Sequence, residues 1–361
     1  MRNFLDNPIY LEDMDSIYLS RSGWSELKNS SVYISGASGM IASYVCMFLI
    51  YLNERHGLDI SIYAGIRNPK KAANKFGDYI NKDFFHLITS DVNQGIVDKI
   101  TVDYIIHAAS LASPQFYGKM PVETVLPNII GTYKLLEYAK NKNVKGFLFF
   151  SSGAVYGSID GCDTILEEMT GEFDYLQIGN FYGESKRCGE MMARAFWLEY
   201  AVPTKSIRIH HSYGPTMDIE NDSRVFSEFV SNIINGQNIV MKSKGTAKRA
   251  FCYMSDAVSA MLKVLLDGAN GESYNMGNDV EFITISDLAE KLVSLFPEKE
   301  LSVEYKERVD DGYVASNSVK TATVDLTKIR NIGWEPKVSV NEGFYRTVKA
   351  IEIERKMLNS I

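Results

Sequence analysis

The segment 32–52 constrains the fold more than any other part of the chain. It opens with the apolar run Val32-Tyr33-Ile34-Ser35, passes through Gly36-Ala37-Ser38-Gly39-Met40-Ile41-Ala42, and continues as an apolar stretch to Leu52. The order is strand, glycine-rich turn, helix. Gly36 permits a tight turn, Gly39 lets the backbone approach a pyrophosphate, and small Ala42 lets the helix pack close to a sheet. The phosphates would rest on backbone N–H groups at the helix N-terminus. Such a unit starts an α/β fold of the doubly wound, Rossmann type, with a parallel sheet.

The following segments extend that sheet. Residues 60–66 form a second strand that runs into Arg67-Asn68-Pro69-Lys70-Lys71. An acidic side chain at this strand end would bond the ribose 2′-hydroxyl of NAD, whereas an arginine accommodates the 2′-phosphate of NADP. Arg67 therefore favours NADP over NAD, unless it and the lysines are merely a solvated turn. Residues 87–92 form a third strand, ending in Asp91 and Val92; Asp91 either bonds the adenine amino group or caps the next helix. The strand Tyr104-Ile105-Ile106-His107-Ala108-Ala109-Ser110 ends in small residues, as a flat cofactor requires, and His107 reads as a packed strand-end histidine. A helix is expected over 122–140, with Asn128 and Thr132 as polar interruptions; Asn128 either bonds the main chain near the site or lies at a surface, the first being favoured.

The strand Gly146-Phe147-Leu148-Phe149-Phe150 then delivers Ser151-Ser152-Gly153 to the ligand-binding edge of such a sheet. Farther on, Tyr182 and Lys186 stand four apart on an apolar-periodic helix, and so on one face. A lysine beside a tyrosine favours the phenolate and brings a group of ordinary pKa about 10 towards use as a general base near neutrality. Ser152, Tyr182 and Lys186 are thus the candidate catalytic set.

The whole chain has 361 residues, 45% of them hydrophobic, enough for a sizeable core. A net charge of −7 leaves no broad basic field for nucleic acid. Four scattered cysteines, Cys46, Cys162, Cys188 and Cys252, have neither disulfide-framework nor zinc spacing. No apolar run reaches the roughly 18 residues of a membrane span, so a cytoplasmic protein without membrane partner is expected.

Together these residues resemble the extended short-chain dehydrogenase/reductase family, in particular nucleotide-sugar epimerases, dehydratases and decarboxylases. The resemblance rests on Gly36, Gly39 and Ala42, on Asn128 with Gly131-Thr132, on Ser152 before Tyr156-Gly157, and on Tyr182 with Lys186. The stretches 221–227 and Gly333-Trp334-Glu335-Pro336 are most similar to UDP-glucuronate decarboxylases. The resemblance implies a nucleotide-diphosphate sugar as substrate and a homodimer through the helices at 122–140 and 182–200. It implies a dinucleotide held by Gly36, Ser38, Gly39, Met40, Ile41, Arg67, Asp91, Val92, Ala108, Ala109 and Lys186. Substrate is expected against Ser110, Asn128, His211, Arg224 and Arg249, the last gripping the diphosphate. The implied organisation is an arm at 1–30, a dinucleotide-binding domain at 31–215 completed by about 251–281, and a smaller α/β substrate-binding domain at about 216–250 and 282–361.

The departures from the family narrow the reaction. Dehydratases and decarboxylases carry carboxylates directly after the catalytic serine or threonine, where this chain has Gly153 and Ala154. Elimination needs a second acid and base, whereas a 4-epimerase or 4-ketoreductase needs only the serine, tyrosine, lysine and nicotinamide. The expectation is therefore hydride transfer at sugar C4, in making activated sugars for surface polysaccharide. Dehydration or decarboxylation would require a substitute from Glu167, Glu168 or Glu184. A non-catalytic NADP sensor is the reading from another class. His211 replaces a phosphate-binding asparagine, and Arg308, Lys320 or Arg224 would stand in for a missing second arginine. Adjacent His210 and His211 are not a metal pair, because neighbours on a strand face opposite ways.

Overall fold

In a computed structural model, residues 3–96, 100–159, 161–306 and 322–359 are described. Seven parallel strands form the central sheet in the spatial order Glu272–Met276, Thr204–Ile209, Gly146–Ser152, Tyr104–His107, Ser31–Ser35, Ser61–Ile66, Phe85–Thr89. The order reverses between Ser31–Ser35 and Tyr104–His107, the switch point outside whose carboxyl edge such sheets bind ligands.

Alternation along the strands loads both faces. Val32, Ile34, Ile106, Leu148 and Phe150 pack with the helices Met40–His56 and Met254–Asp267. Tyr33, Ile105, Phe147 and Phe149 point the other way, against Leu135 and Leu136 of Thr132–Lys142 and Phe196 of Phe181–Tyr200. This is the period of two that a strand imposes on its side chains.

Helix Met40–His56 is buried at every position from Ala42 to Leu52. A helix apolar all round needs cover on its outer face as well. The N-terminal arm supplies it: on helix Pro8–Leu19, Tyr10 lies 5.6 Å from Tyr44 between ring centroids, and Trp24 lies 4.9 Å from Phe48. Buried Asp13 anchors the arm, accepting the hydroxyls of Tyr44 and Tyr253 and a 2.7 Å bond from Arg346 Nη2.

The expected single helix over 122–140 is a composite. It begins as Pro121–Leu126, widens into a π segment at Pro127–Gly131, and continues as Thr132–Lys142. Pro127 has no N–H to donate, so the regular ladder cannot run through it. A separate apolar cluster gathers helix Val225–Ile234, helix Ile285–Leu295 and helix Val340–Asn359 around Tyr213, Phe251 and Phe344. Among the described residues no helix is long and apolar enough to cross a membrane, and the four cysteines are unpaired.

Candidate active site

A cavity of about 370 Å³ opens at the carboxyl edge of the sheet. One wall is the first glycine turn. Gly36 has φ +67°, and a Cβ there would lie 2.7 Å from Ala109 Cα. Gly39 starts helix Met40–His56 with no side chain capping it, so the first-turn amides have no partner within the helix. Gly36, Gly39, Met40, Ile41 and Ala108 all line the cavity. Close backbone, free amides and small side chains are what a dinucleotide pyrophosphate requires, so these residues fit one.

The neighbouring strand ends are tied beneath it. Ser35 Oγ accepts the N–H groups of Ala108 and Ala109, each at 3.1 Å, and so gives its own hydrogen to His107 Nδ1 at 2.8 Å. His107 Nε2 is then protonated and donates to the Pro127 carbonyl at 3.0 Å, the carbonyl at the start of the π segment. Burial and the Lys186 charge hold the His107 pKa at about 3. His107 is a packed residue, as the sequence indicates.

Ser152, Tyr182 and Lys186 meet in the same cavity. Tyr182 is buried, with the Ser152 side chain among the neighbours that draw its pKa down, and its ring stacks on Tyr117 at 5.0 Å and 13°. Ser152 Oγ also accepts Ala154 N–H at 3.1 Å. Lys186 Nζ donates to the Phe150 carbonyl at 2.6 Å and lies 5.8 Å from the Tyr182 ring centroid. Burial pushes the phenol up to about 12, against the opposing pull of Ser152 and Arg224. Burial brings the lysine down to about 7, with Glu190 raising it. The sequence expectation of a phenol lowered by its lysine therefore has the opposite sign here: loss of water outweighs the pull of Ser152 and Arg224.

Arg224, Lys248 and Arg249 bring cationic groups to the lining, which also includes His211; Arg249 is on strand Lys248–Ala250, and Arg224 Nε donates to the two Asp222 carboxylate oxygens at 2.8 and 3.0 Å. His211 holds the unusual φ of +28°. Its pKa is lowered by burial and by Arg249, His210 and Arg224. Ser110 faces the cavity with its Oγ unpartnered.

Other candidates stand outside. Ala109 packs behind Gly36, and Ser38 is not part of the lining. Asn128 is fully buried in the core, donating to Thr124 O at 3.0 Å and Ser185 Oγ at 2.9 Å. It supports the Tyr182 helix rather than facing the cavity. Asp91 accepts Asn93 N–H at 2.9 Å as a helix cap, and Val92 packs on Gly131. Arg67 is exposed at its strand end. Glu167 accepts Asn275 N–H at 2.9 Å, Glu168 is exposed, and Glu184 lies 4.0 Å from Arg187. None of the three lines the cavity, and among the described residues no carboxylate does. Arg308 and Lys320 lie outside the described residues. His210 lines the cavity, as the resemblance implies for the stretch 208–215; Tyr117 and Lys248 are not legible as site residues from sequence. A Ser-Pro pair at 113–114 was the only local sign of the loop that presents Tyr117.

Residues 32–277 match the NAD dependent epimerase/dehydratase family. The chain is 31% identical over 322 residues to UDP-glucuronic acid decarboxylase 5 of Arabidopsis thaliana, covering 87% of each protein. It is 28% identical to dTDP-D-glucose 4,6-dehydratase of Mus musculus, over 88% of this chain and 87% of the relative. Among solved structures, UDP-glucose 4-epimerase of Thermotoga maritima superposes with a TM-score of 0.75 at 24% identity, covering 91% of this chain and 99% of the other.

Proposed function

This chain belongs to the NAD dependent epimerase/dehydratase family, and we propose that it works at C4 of a nucleotide-linked sugar, as a 4-ketoreductase or 4-epimerase. One observation carries the reading: Ser152, Tyr182 and Lys186 converge on a cavity that no described carboxylate lines. Proton exchange at one oxygen needs a single acid–base group, whereas elimination across two carbons needs more.

Tyr182 exchanges the proton of the C4 oxygen, and Ser152 hydrogen-bonds the same oxygen. A phenol held near 12 is protonated at neutral pH, which suits delivery of a proton to a ketone oxygen. A bound dinucleotide supplies the hydride. Gly36, Gly39, Met40 and Ile41 would hold its pyrophosphate, and Lys186 its nicotinamide ribose. Exposed Arg67, in place of an acid, favours NADP. Arg224, Lys248, Arg249 and His211 would take the diphosphate of the sugar nucleotide.

The similarity to decarboxylases favours a second reading, UDP-glucuronate decarboxylation, which needs an acid–base group from elsewhere. Incubation with UDP-, dTDP-, CDP- and GDP-sugars and their 4-keto forms, with NAD or NADP, separates the two. A C4-epimerised or C4-reduced product, lost in Tyr182→Phe, is the expected result; release of carbon dioxide from UDP-glucuronate would overturn it. We also propose a homodimer, because Val122, Tyr133, Met191 and Leu198 are 59%, 41%, 65% and 71% exposed on the paired helices. Light scattering that gives a monomer mass would refute it.

A further inference from the structure

Tyr117 lines the cavity beside Tyr182, and the C4 reading gives it no task. It follows the short 3₁₀ turn Pro114–Phe116, and its side chain is 4% exposed. Its ring lies nearly parallel to that of Tyr182, 13° between planes and 5.0 Å between centroids. Three bonds stiffen the segment that carries it. The Tyr117 hydroxyl donates to the Ala112 carbonyl at 3.0 Å, Phe116 N–H to Ser113 O at 3.0 Å, and Met120 N–H to Phe116 O at 2.7 Å. A fourth reaches across the site: Gln115 Nε2 donates to the Asn221 carbonyl at 2.9 Å, next to Asp222, which holds Arg224.

The stack supplies what the helix under Tyr182 leaves open. The main chain there is fixed: Gly183 presses on the turn after Ser152, and a Cβ built on it would lie 2.6 Å from Ala154 O. That settles where the side chain leaves the backbone. Rotation of a tyrosine ring about χ2 is broad and two-fold, so the helix does not choose the plane of the ring. The phenolic oxygen lies on the rotation axis and does not move with it. Its O–H is conjugated with the ring and lies in the ring plane, so that plane decides where the proton points. A parallel aromatic face against the ring restricts both the plane and any sideways swing towards that face.

We propose that Tyr117 is a positioning residue for Tyr182: its ring face sets the plane of the phenol and so aims the Tyr182 O–H at the substrate oxygen, while the Gln115–Asn221 bond holds Tyr117 in place. The proposal rests on Tyr182 as the proton-exchanging group of the C4 reading. Tyr117 is not itself that group, because its own O–H is given to the Ala112 carbonyl. Its part is the ring, not the hydroxyl, and the two are separable by substitution.

Steady-state kinetics test it, on the member of the UDP-, dTDP-, CDP- and GDP-sugar panel that the native protein turns over fastest. Tyr117→Leu is expected to lower kcat about tenfold to a hundredfold at native KM. The solvent deuterium isotope effect on kcat should rise with it, because proton transfer becomes the slower step. Tyr117→Phe keeps the ring face and is expected to recover most of the native kcat. Equal losses in the two variants, or a rise in KM without a fall in kcat, overturn the proposal. Should Tyr117→Leu fail to fold, Gln115→Met decides, since Gln115 lies outside the cavity lining: a lower kcat at native KM supports the proposal and a native kcat overturns it. An inactive Tyr182→Phe together with native kcat in Tyr117→Leu overturns this proposal alone. Full activity in Tyr182→Phe, or a native protein inactive on the whole panel, overturns the C4 reading and this proposal with it.

Discussion

Replacing Gly36 by alanine tests the cofactor turn at its tightest point. Two costs add. A non-glycine residue at φ +67° carries about 1–2 kcal/mol of left-handed strain. The new methyl would also lie 2.7 Å from Ala109 Cα and 3.0 Å from Ala109 N, backbone atoms that no side-chain rotation can move, adding about 1–3 kcal/mol of overpacking. The expected loss is about 2–5 kcal/mol. Gly57→Ala is the matched control: its φ is +60°, but no heavy atom lies within 4 Å of the built Cβ. It should lose only the strain, about 1–2 kcal/mol. Urea unfolding of both variants, with m unchanged, reads the difference from the midpoints. Dinucleotide titration should show weakened binding in Gly36→Ala and native affinity in Gly57→Ala. Equal midpoints together with native dinucleotide affinity in both would refute the close approach of strand end and turn.

Three further outcomes follow from the site. Tyr182→Phe should lower C4 turnover roughly 10²- to 10⁴-fold while leaving dinucleotide affinity intact, since only the proton-exchanging oxygen is removed; steady-state kinetics and a titration check both. Lys186 has its pKa lowered from 10.5 to about 7, so between those pH values the unfolded chain binds the extra proton and stability rises with pH. Urea midpoints across that window should flatten in Lys186→Met, and an unchanged slope would show that the lysine is not buried. Glu190→Gln leaves Arg208, paired at 2.7 Å with both side chains nearly enclosed, as an uncompensated charge. That should cost about 3–5 kcal/mol in the urea midpoint.

The sequence discloses what is local. Turn 36–42, the apolar strand runs and the Tyr182–Lys186 spacing are each encoded within a few residues, and the fold forms them there. The arm is legible only in part: its helix has a local pattern, but its task becomes plain once helix Met40–His56 is seen to need cover on every side. Asn128 is rightly read as a buried, bonded asparagine but wrongly as a substrate contact, because the π segment after Pro127 turns its amide towards Ser185. What fills the space at Gly153 is set by a ring 57 positions along the chain, just past the end of a different strand, and no spacing announces it.

Electrostatics was the least legible part, for a reason that Lys186 illustrates. Four-residue spacing places the ammonium beside the phenol, and in water that neighbour would favour the phenolate. In the folded chain Lys186 lies under the strand end with its Nζ on the Phe150 carbonyl. Losing water weakens the charge that was to act on Tyr182 and, by the same burial, penalises the phenolate itself. Glu190, which raises the lysine, is held by Arg208 and by the Ser151 hydroxyl. The protonation of Tyr182 is therefore governed by burial, against the smaller pull of Ser152 and Arg224. A spacing motif identifies which groups meet; the direction in which the proton moves depends on how far water is excluded around them.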